Sequence, residues 1–348
     1  MKRKHLILAL KIVVSAGLLY FVFRKIAPDW RRLAAEMASA FRYGWPSLVA
    51  ALGVVGIVFV VGAWRWKMIL LSHNVDIPLF QTVRLFLVGF FFGQFMPGGL
   101  AAGDIIRSYY ISYCTVDKKT ECVATVVVDR VVGSAGFLAI VVISLLLWRG
   151  HLETALMLVG IGLALVAVIA LFFTRRFLNR LPFAGWVSQH LPYRQHLTRI
   201  YEAFRHYRRH KMRLGFCLGL SLFIQVLLVL AALLVGESVG IRATPLEYLI
   251  RIPLVGAISV LPISVGNIGL AEFGYAYFFL EAGDPESYRS VVGAFALMMR
   301  LLWVFVGVIG GIIWWAERGK LSGKSVGETE GPRASESPGD VQRSESQP

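Results

Sequence analysis

Apolar runs long enough to cross a bilayer constrain this chain more than any other feature. About 30 Å of hydrocarbon requires roughly 20 apolar residues of helix. Six uninterrupted stretches meet that length, at 6–23, 46–64, 121–147, 152–173, 214–238 and 288–316. With 57% hydrophobic and only 16% charged residues, and a mean hydropathy of +0.65, the 348 residues do not make a pair of soluble domains. The first run follows Met1-Lys2-Arg3-Lys4 as a secretory leader would. It runs into Arg24, Lys25 and Ile26 without a small-residue cleavage site, and so reads as a retained helix.

Two further apolar regions, 79–113 and 245–283, are interrupted, the first by Pro97 and the second by Pro253 and Pro262. Each is awkward as one span and tight as two. The expected fold is therefore an all-α polytopic membrane protein, with about six full spans and two Pro/Gly-broken re-entrant or short-span hairpins. If each broken region enters and leaves by the same face, both termini are cytoplasmic. Most of the 36 Lys and Arg, including Arg65 and Lys67, then lie on the cytoplasmic side, as the positive-inside rule requires. The basic residues of 24–45 fall on the other side, where Trp30 and alternating apolar positions suggest an interfacial helix. The first hairpin then opens from the cytoplasm and the second from the outer face, where Glu237, Glu247, Glu281, Asp284 and Glu286 cluster. Their tips meet near mid-membrane, a geometry used for transport sites because irregular backbone survives there only inside protein or beside water.

The transmembrane domain is read as 1–318, with a basic amphipathic cytoplasmic loop at 174–213 and a disordered tail at 319–348. Nine ionisable residues lie within the apolar segments: Lys11, Arg84, Arg107, Arg130, Arg251, Arg300, Asp104, Asp129 and Glu272. At about 2.5–3.5 kcal/mol each, leaving them all against lipid would cost roughly 20–30 kcal/mol, so they pair, snorkel or face a cavity. Lys11 and Arg84, near segment ends, are read as snorkelling. That leaves four bases against three acids, a buried surplus that suits an anionic ligand such as a lipid phosphate.

Three stretches carry these charges. In Pro97-Gly98-Gly99 through Gly103-Asp104 to Arg107, proline ends the entering helix and the glycines allow close backbone approach to a ligand. Asp104 stands either as an N-cap with Arg107 its partner, or with Arg107 as part of an anion site. In Pro262-Ile263-Ser264-Val265-Gly266-Asn267-Ile268-Gly269-Leu270-Ala271-Glu272, the glutamate is either a proton-coupled carboxylate or a counter-ion for Arg251 or Arg300. Asp129 and Arg130 are adjacent on one helix, about 100° apart, and so reach different partners. They either tie the core together or touch the ligand.

Three cysteines, Cys114, Cys122 and Cys217, make no disulfide scaffold, and neither they nor the histidines show metal-ligand spacing. No phosphate loop, zinc-protease motif or nucleophile elbow is present, so no cofactor, metal or catalytic group is expected. The basic residues lie between apolar runs, which excludes a nucleic-acid surface. Gly307 and Gly311 read as a helix-packing pair and not a dimer face.

At these stretches the sequence resembles the flippase-like family of bacterial membrane proteins that includes the transmembrane region of lysylphosphatidylglycerol synthase. The resemblance rests on Pro97, Gly98, Gly99, Gly103, Asp104 and Arg107, on Asp129-Arg130, and on Pro262, Ser264, Gly266, Gly269 and Glu272, and covers nearly all of 6–316. Asn267 and Ala271 depart from the family pattern. The resemblance implies a multi-pass inner-membrane protein that moves lipids or lipid-linked molecules between leaflets. The synthase's soluble transferase domain would follow the membrane region, and lysyl transfer is not expected here. The leading expectation is translocation of an anionic lipid, with Arg107, Arg130 and Arg251 or Arg300 neutralising its phosphate. A membrane-embedded head-group transferase and a non-transporting scaffold for a lipid-modifying enzyme are the alternatives.

Overall fold

The computed structural model describes residues 30–96, 99–113, 119–147, 211–259, 268–281 and 284–321, with positions 17 and 20. The expected spans 6–23 and 152–173, Lys11, the basic loop up to residue 210 and the tail beyond 321 lie outside the described residues. Within them every regular element is a helix.

The order is α1 (Trp30–Tyr43), α2 (Trp45–Leu71), α3 (Leu79–Phe95), α4 (Leu100–Tyr113), α5 (Lys119–Leu147), α6 (Lys211–Val239), α7 (Pro245–Ser259), α8 (Leu270–Phe279) and α9 (Glu286–Leu321). Four of them, α2, α5, α6 and α9, are long and apolar enough to span, matching the expected runs at 46–64, 121–147, 214–238 and 288–316. The protein is a multi-pass membrane protein. Lys211 to Arg213, expected in the basic loop, begin α6.

The side-chain contacts fix how these helices are threaded. We call the face holding the C-terminal end of α2 proximal, and the opposite face distal. Gly44, just before α2, meets Ser238 near the end of α6, while Arg65 meets Ser221, so α2 and α6 are antiparallel. On α9, Glu317 pairs with Arg84, Trp314 Nε1 donates to Tyr110 Oη at 2.9 Å, and Gly307 lies against Phe95. Both legs of the α3–α4 hairpin therefore open proximally, and its tip lies beside the middle of α9. At 17 and 14 residues the legs are about 25 and 21 Å long, too short to cross.

The α7–α8 hairpin enters from the distal face. Arg251 reaches both Glu247, near the start of α7, and Glu281, just past the end of α8, and Ser144 near the distal end of α5 meets α7 at Leu249. The two broken elements thus come from opposite faces. The start of α8 is tied to Arg300, about two turns along α9 from Gly307, so the tips approach at mid-depth.

Pro253 does not break its region as the sequence suggests; it lies buried inside α7. Proline has no N–H to offer the carbonyl four residues earlier. That carbonyl, of Leu249, instead lies 3.0 Å from Ser144 Oγ, whose single proton it shares with the Ile140 carbonyl at 2.8 Å, and the helix continues to Ser259. Pro262, Ser264, Gly266 and Asn267 lie outside the described residues, as do Pro97 and Gly98 at the first tip. There Gly99 takes φ +56°, a left-handed conformation that glycine adopts without strain, and turns the chain into α4.

The legs of the first hairpin close on glycines: a Cβ on Gly103 would overlap the Gly89 carbonyl, and one on Gly89 would overlap the Arg107 side chain. Gly307 and Gly311, with Gly310, pack against Phe95, Phe91 and Leu87 of α3, which is the intramolecular role expected of them. One core of Trp66, Leu70, Leu85, Ile111, Cys122 and Val126 surrounds the proximal hairpin. A larger one around Tyr248, Leu254, Phe279 and Phe295 surrounds the distal hairpin.

Candidate functional site

The charged residues of α2, α4 and α5 converge just proximal to the first hairpin's tip. Asp129, 1% exposed, accepts from Arg65 Nε at 3.0 Å on one carboxylate oxygen and from Arg107 Nη2 at 3.3 Å on the other. Arg65 also donates from Nη1 to Ser221 Oγ at 2.8 Å, its guanidinium occupying space that a side chain at Gly133 would crowd. Arg107 is sandwiched between the rings of Trp66 and Phe86, with Cζ 4.1 and 4.5 Å from their centroids. Trp66 is held in turn by donation from Nε1 to Thr125 Oγ1 at 3.2 Å. Cation–π contacts of this kind strengthen when desolvated, so the sandwich fixes Arg107 firmly.

Asp104 and Arg130 form the open end. Arg130 Nε donates to Asp104 Oδ2 at 2.6 Å, and Arg107 Nη1 lies 3.8 Å from Asp104 Oδ1. The Arg130 side chain is 43% exposed and that of Asp104 22%. Among the described residues Arg130 uses only Nε, leaving both Nη groups without a partner. Arg107 Nε and Asp104 Oδ1 are also buried without a hydrogen-bond partner. Three arginines face two aspartates, a surplus of one positive charge. Arg130 lies about 16 Å along α5 from Lys119, where a half-exposed guanidinium needs water or a polar head group as neighbour.

Several expectations are corrected here. Arg65, assigned by position to a cytoplasmic span end, is a buried member of the cluster. Asp104 is not an N-cap: α4 starts at Leu100, and the carboxylate lies one turn in, facing Arg130. Arg84 does not simply snorkel; it pairs with Glu317, with its guanidinium over the Phe80 ring. Asp129 and Arg130 reach different partners, as their angular offset requires.

The second set is separate. Glu272, 4% exposed, accepts from Arg300 Nε at 2.7 Å and from the Gly269 backbone N–H at 2.8 Å, closing the first turn of α8. Gly269 has φ +84°. Arg251 does not join this pair. It bonds Glu247 at 2.6 Å, lies 3.6 Å from Glu281, and faces the Phe279 ring at the distal mouth. Of the residues singled out from sequence, Asp104, Arg107, Asp129 and Arg130 come together, with Gly103 beside them and Gly99 at the turn above. Glu272, Gly269 and Arg300 form a second group and Arg251 a third. Arg65, Trp66, Thr125 and Ser221 complete the first group and were not anticipated. No cluster of three metal-ligating side chains occurs among the described residues.

Two opposed broken-helix hairpins between spanning helices, with a paired charge cluster beside one tip, define a multi-pass membrane protein built around an intramembrane polar site. The chain belongs to the lysylphosphatidylglycerol synthase TM region family, which matches residues 8–311. That family points to a membrane lipid-related function. No curated protein and no solved structure matches the chain.

Proposed function

We propose that the protein moves an anionic lipid, or a lipid-linked anion, between leaflets, with Arg130 as the first contact for the phosphate. The observation that carries this is the half-exposed Arg130, bonded among the described residues through Nε alone and belonging to a cluster with one surplus positive charge. A phosphate oxygen pair suits the free edge of a guanidinium. One negative charge would bring the cluster to neutrality, which lowers the cost of holding it in the membrane.

In this reading Asp104 is the resident anion that the phosphate displaces. Its Oδ1 already lies 3.8 Å from Arg107 Nη1, so a small rotation exchanges one arginine for the other. Arg65, Asp129 and the Trp66–Phe86 sandwich keep Arg107 in place while Arg130 changes partner. Ile105 and Tyr109, exposed on α4, offer apolar surface to acyl chains beside the exchange.

Reconstitution in vesicles with fluorescent phospholipids and polyprenyl phosphates on one leaflet tests this. Anionic lipids exchange leaflets faster with the protein than without it, and Arg130→Gln lowers that rate about tenfold or more, the loss expected for a charge-assisted contact of roughly 1.5–3 kcal/mol. Exchange that is the same with and without the protein, or unchanged by Arg130→Gln, would falsify the proposal. Covalently altered lipid after incubation would point instead to head-group transfer.

A further inference from the structure

We propose that α1 is a binding surface for anionic phospholipid head groups at the distal face, independent of the charge cluster and of any translocation. At 100° per residue, Leu33, Met37 and Ala40 fall in one arc of α1. Leu33 and Ala40 are buried and Met37 packs onto the distal core, seating the helix against α9 and α6. The next arc holds Trp30, Phe41, Ala34 and Ala38, and all four are exposed, Trp30 by 70% and Phe41 by 56%. The apolar face is therefore wider than the protein covers.

Immediately beyond this stripe come Arg31 and Arg42, then Ala35, Ser39, Arg32, Tyr43 and Glu36 around the more polar side. The Arg31 guanidinium lies 5.6 Å from the Trp30 ring and that of Arg42 5.5 Å from the Tyr43 ring. An uncovered aromatic stripe edged by arginines is the pattern of a helix lying in a membrane interface, rings toward the acyl chains and guanidiniums at the phosphates. The position agrees: α1 ends two residues before Trp45, where α2 begins its span at the distal face. Three arginines against Glu36 leave this short helix cationic, which selects anionic head groups over zwitterionic ones.

The test uses the full chain in phosphatidylcholine vesicles, with a fluorophore on Ala38→Cys in the stripe or on Ser39→Cys on the polar side. Cys122 and Cys217 are buried, and the unsubstituted chain sets the labelling background. Acyl-chain nitroxide lipids quench position 38 about threefold more than position 39. Nitroxide phosphatidylglycerol quenches position 38 about twofold more than nitroxide phosphatidylcholine; Arg31→Gln with Arg42→Gln removes that preference, and the two Lys replacements keep it. Equal quenching at the two positions, no preference between the two lipids, or a preference that survives the Gln replacements overturns the proposal. So does fluorophore self-transfer that falls on dilution into lipid, which would assign the stripe to a second copy of the chain.

Discussion

The two hairpins share a plan, a chain break followed by glycine and an acid within the next helix, yet their acids do different work. Asp104 lies one turn into α4 and shares a cluster of five charges that has one positive charge too many and an exposed edge. Glu272 lies in the first turn of α8 and spends both oxygens, one on Arg300 and one on the Gly269 N–H. A balanced, enclosed pair holds a helix start in place. An unbalanced, half-open cluster leaves the two Nη groups of Arg130 without a partner among the described residues. Each break is followed by a left-handed glycine, Gly99 and Gly269, and the arginines that other helices bring decide which acid is structural.

The largest expected contrast comes from neutralising the central acid of each group. Asp129→Asn leaves Arg65 buried without a counter-charge and Arg107 with only its 3.8 Å contact to Asp104, and costs about 3–5 kcal/mol. Glu272→Gln keeps an acceptor for one of its two donors and turns an NH2 toward the other, but it disturbs a single, partly exposed arginine, at a cost of roughly 1.5–3 kcal/mol. Thermal unfolding in detergent should therefore rank Asp129→Asn well below Glu272→Gln, and the reverse order would break the distinction drawn between the groups. Next in size is the glycine contact inside each hairpin. A Cβ on Gly103 meets the fixed Gly89 carbonyl, whereas one on Gly274 meets a Val255 methyl at 3.1 Å. Gly103→Ala should cost about 1–3 kcal/mol and Gly274→Ala less than about 1 kcal/mol, read by the same melts. Smallest is Ser144→Ala, which takes from the Leu249 carbonyl the hydroxyl it shares with Ile140. It should cost about 1 kcal/mol and speed hydrogen exchange in α7 while leaving α3 and α4 unchanged.

Much of this arrangement was legible in the residues. Chain length and apolar runs located the four described spans, Pro97 the first break, and the angular offset of Asp129 and Arg130 their separate partners. Arg65 was missed because a basic residue close after an apolar run looks like a span end. The sequence continues Trp66-Lys67-Met68-Ile69-Leu70-Leu71, a return to apolar residues that marks the arginine as interior. The pairing of Arg251 with Glu247 was also available, since four residues apart on a helix is one turn. Two features had no local signal. Whether Arg300 or another base meets Glu272 depends on how α9 lies against α8, and the rescue of Pro253 depends on a serine more than a hundred residues away.

The long helix α9 also has a bearing on biogenesis. It carries Arg300, Trp314 and Glu317, the partners of Glu272, Tyr110 and Arg84 in the two hairpins, and it leaves the ribosome after both. Until it inserts, three polar contacts spread over two re-entrant elements are unmade. Its arrival makes all of them at once, so a chain halted before α9 would present the quality-control machinery with both hairpins unfinished together.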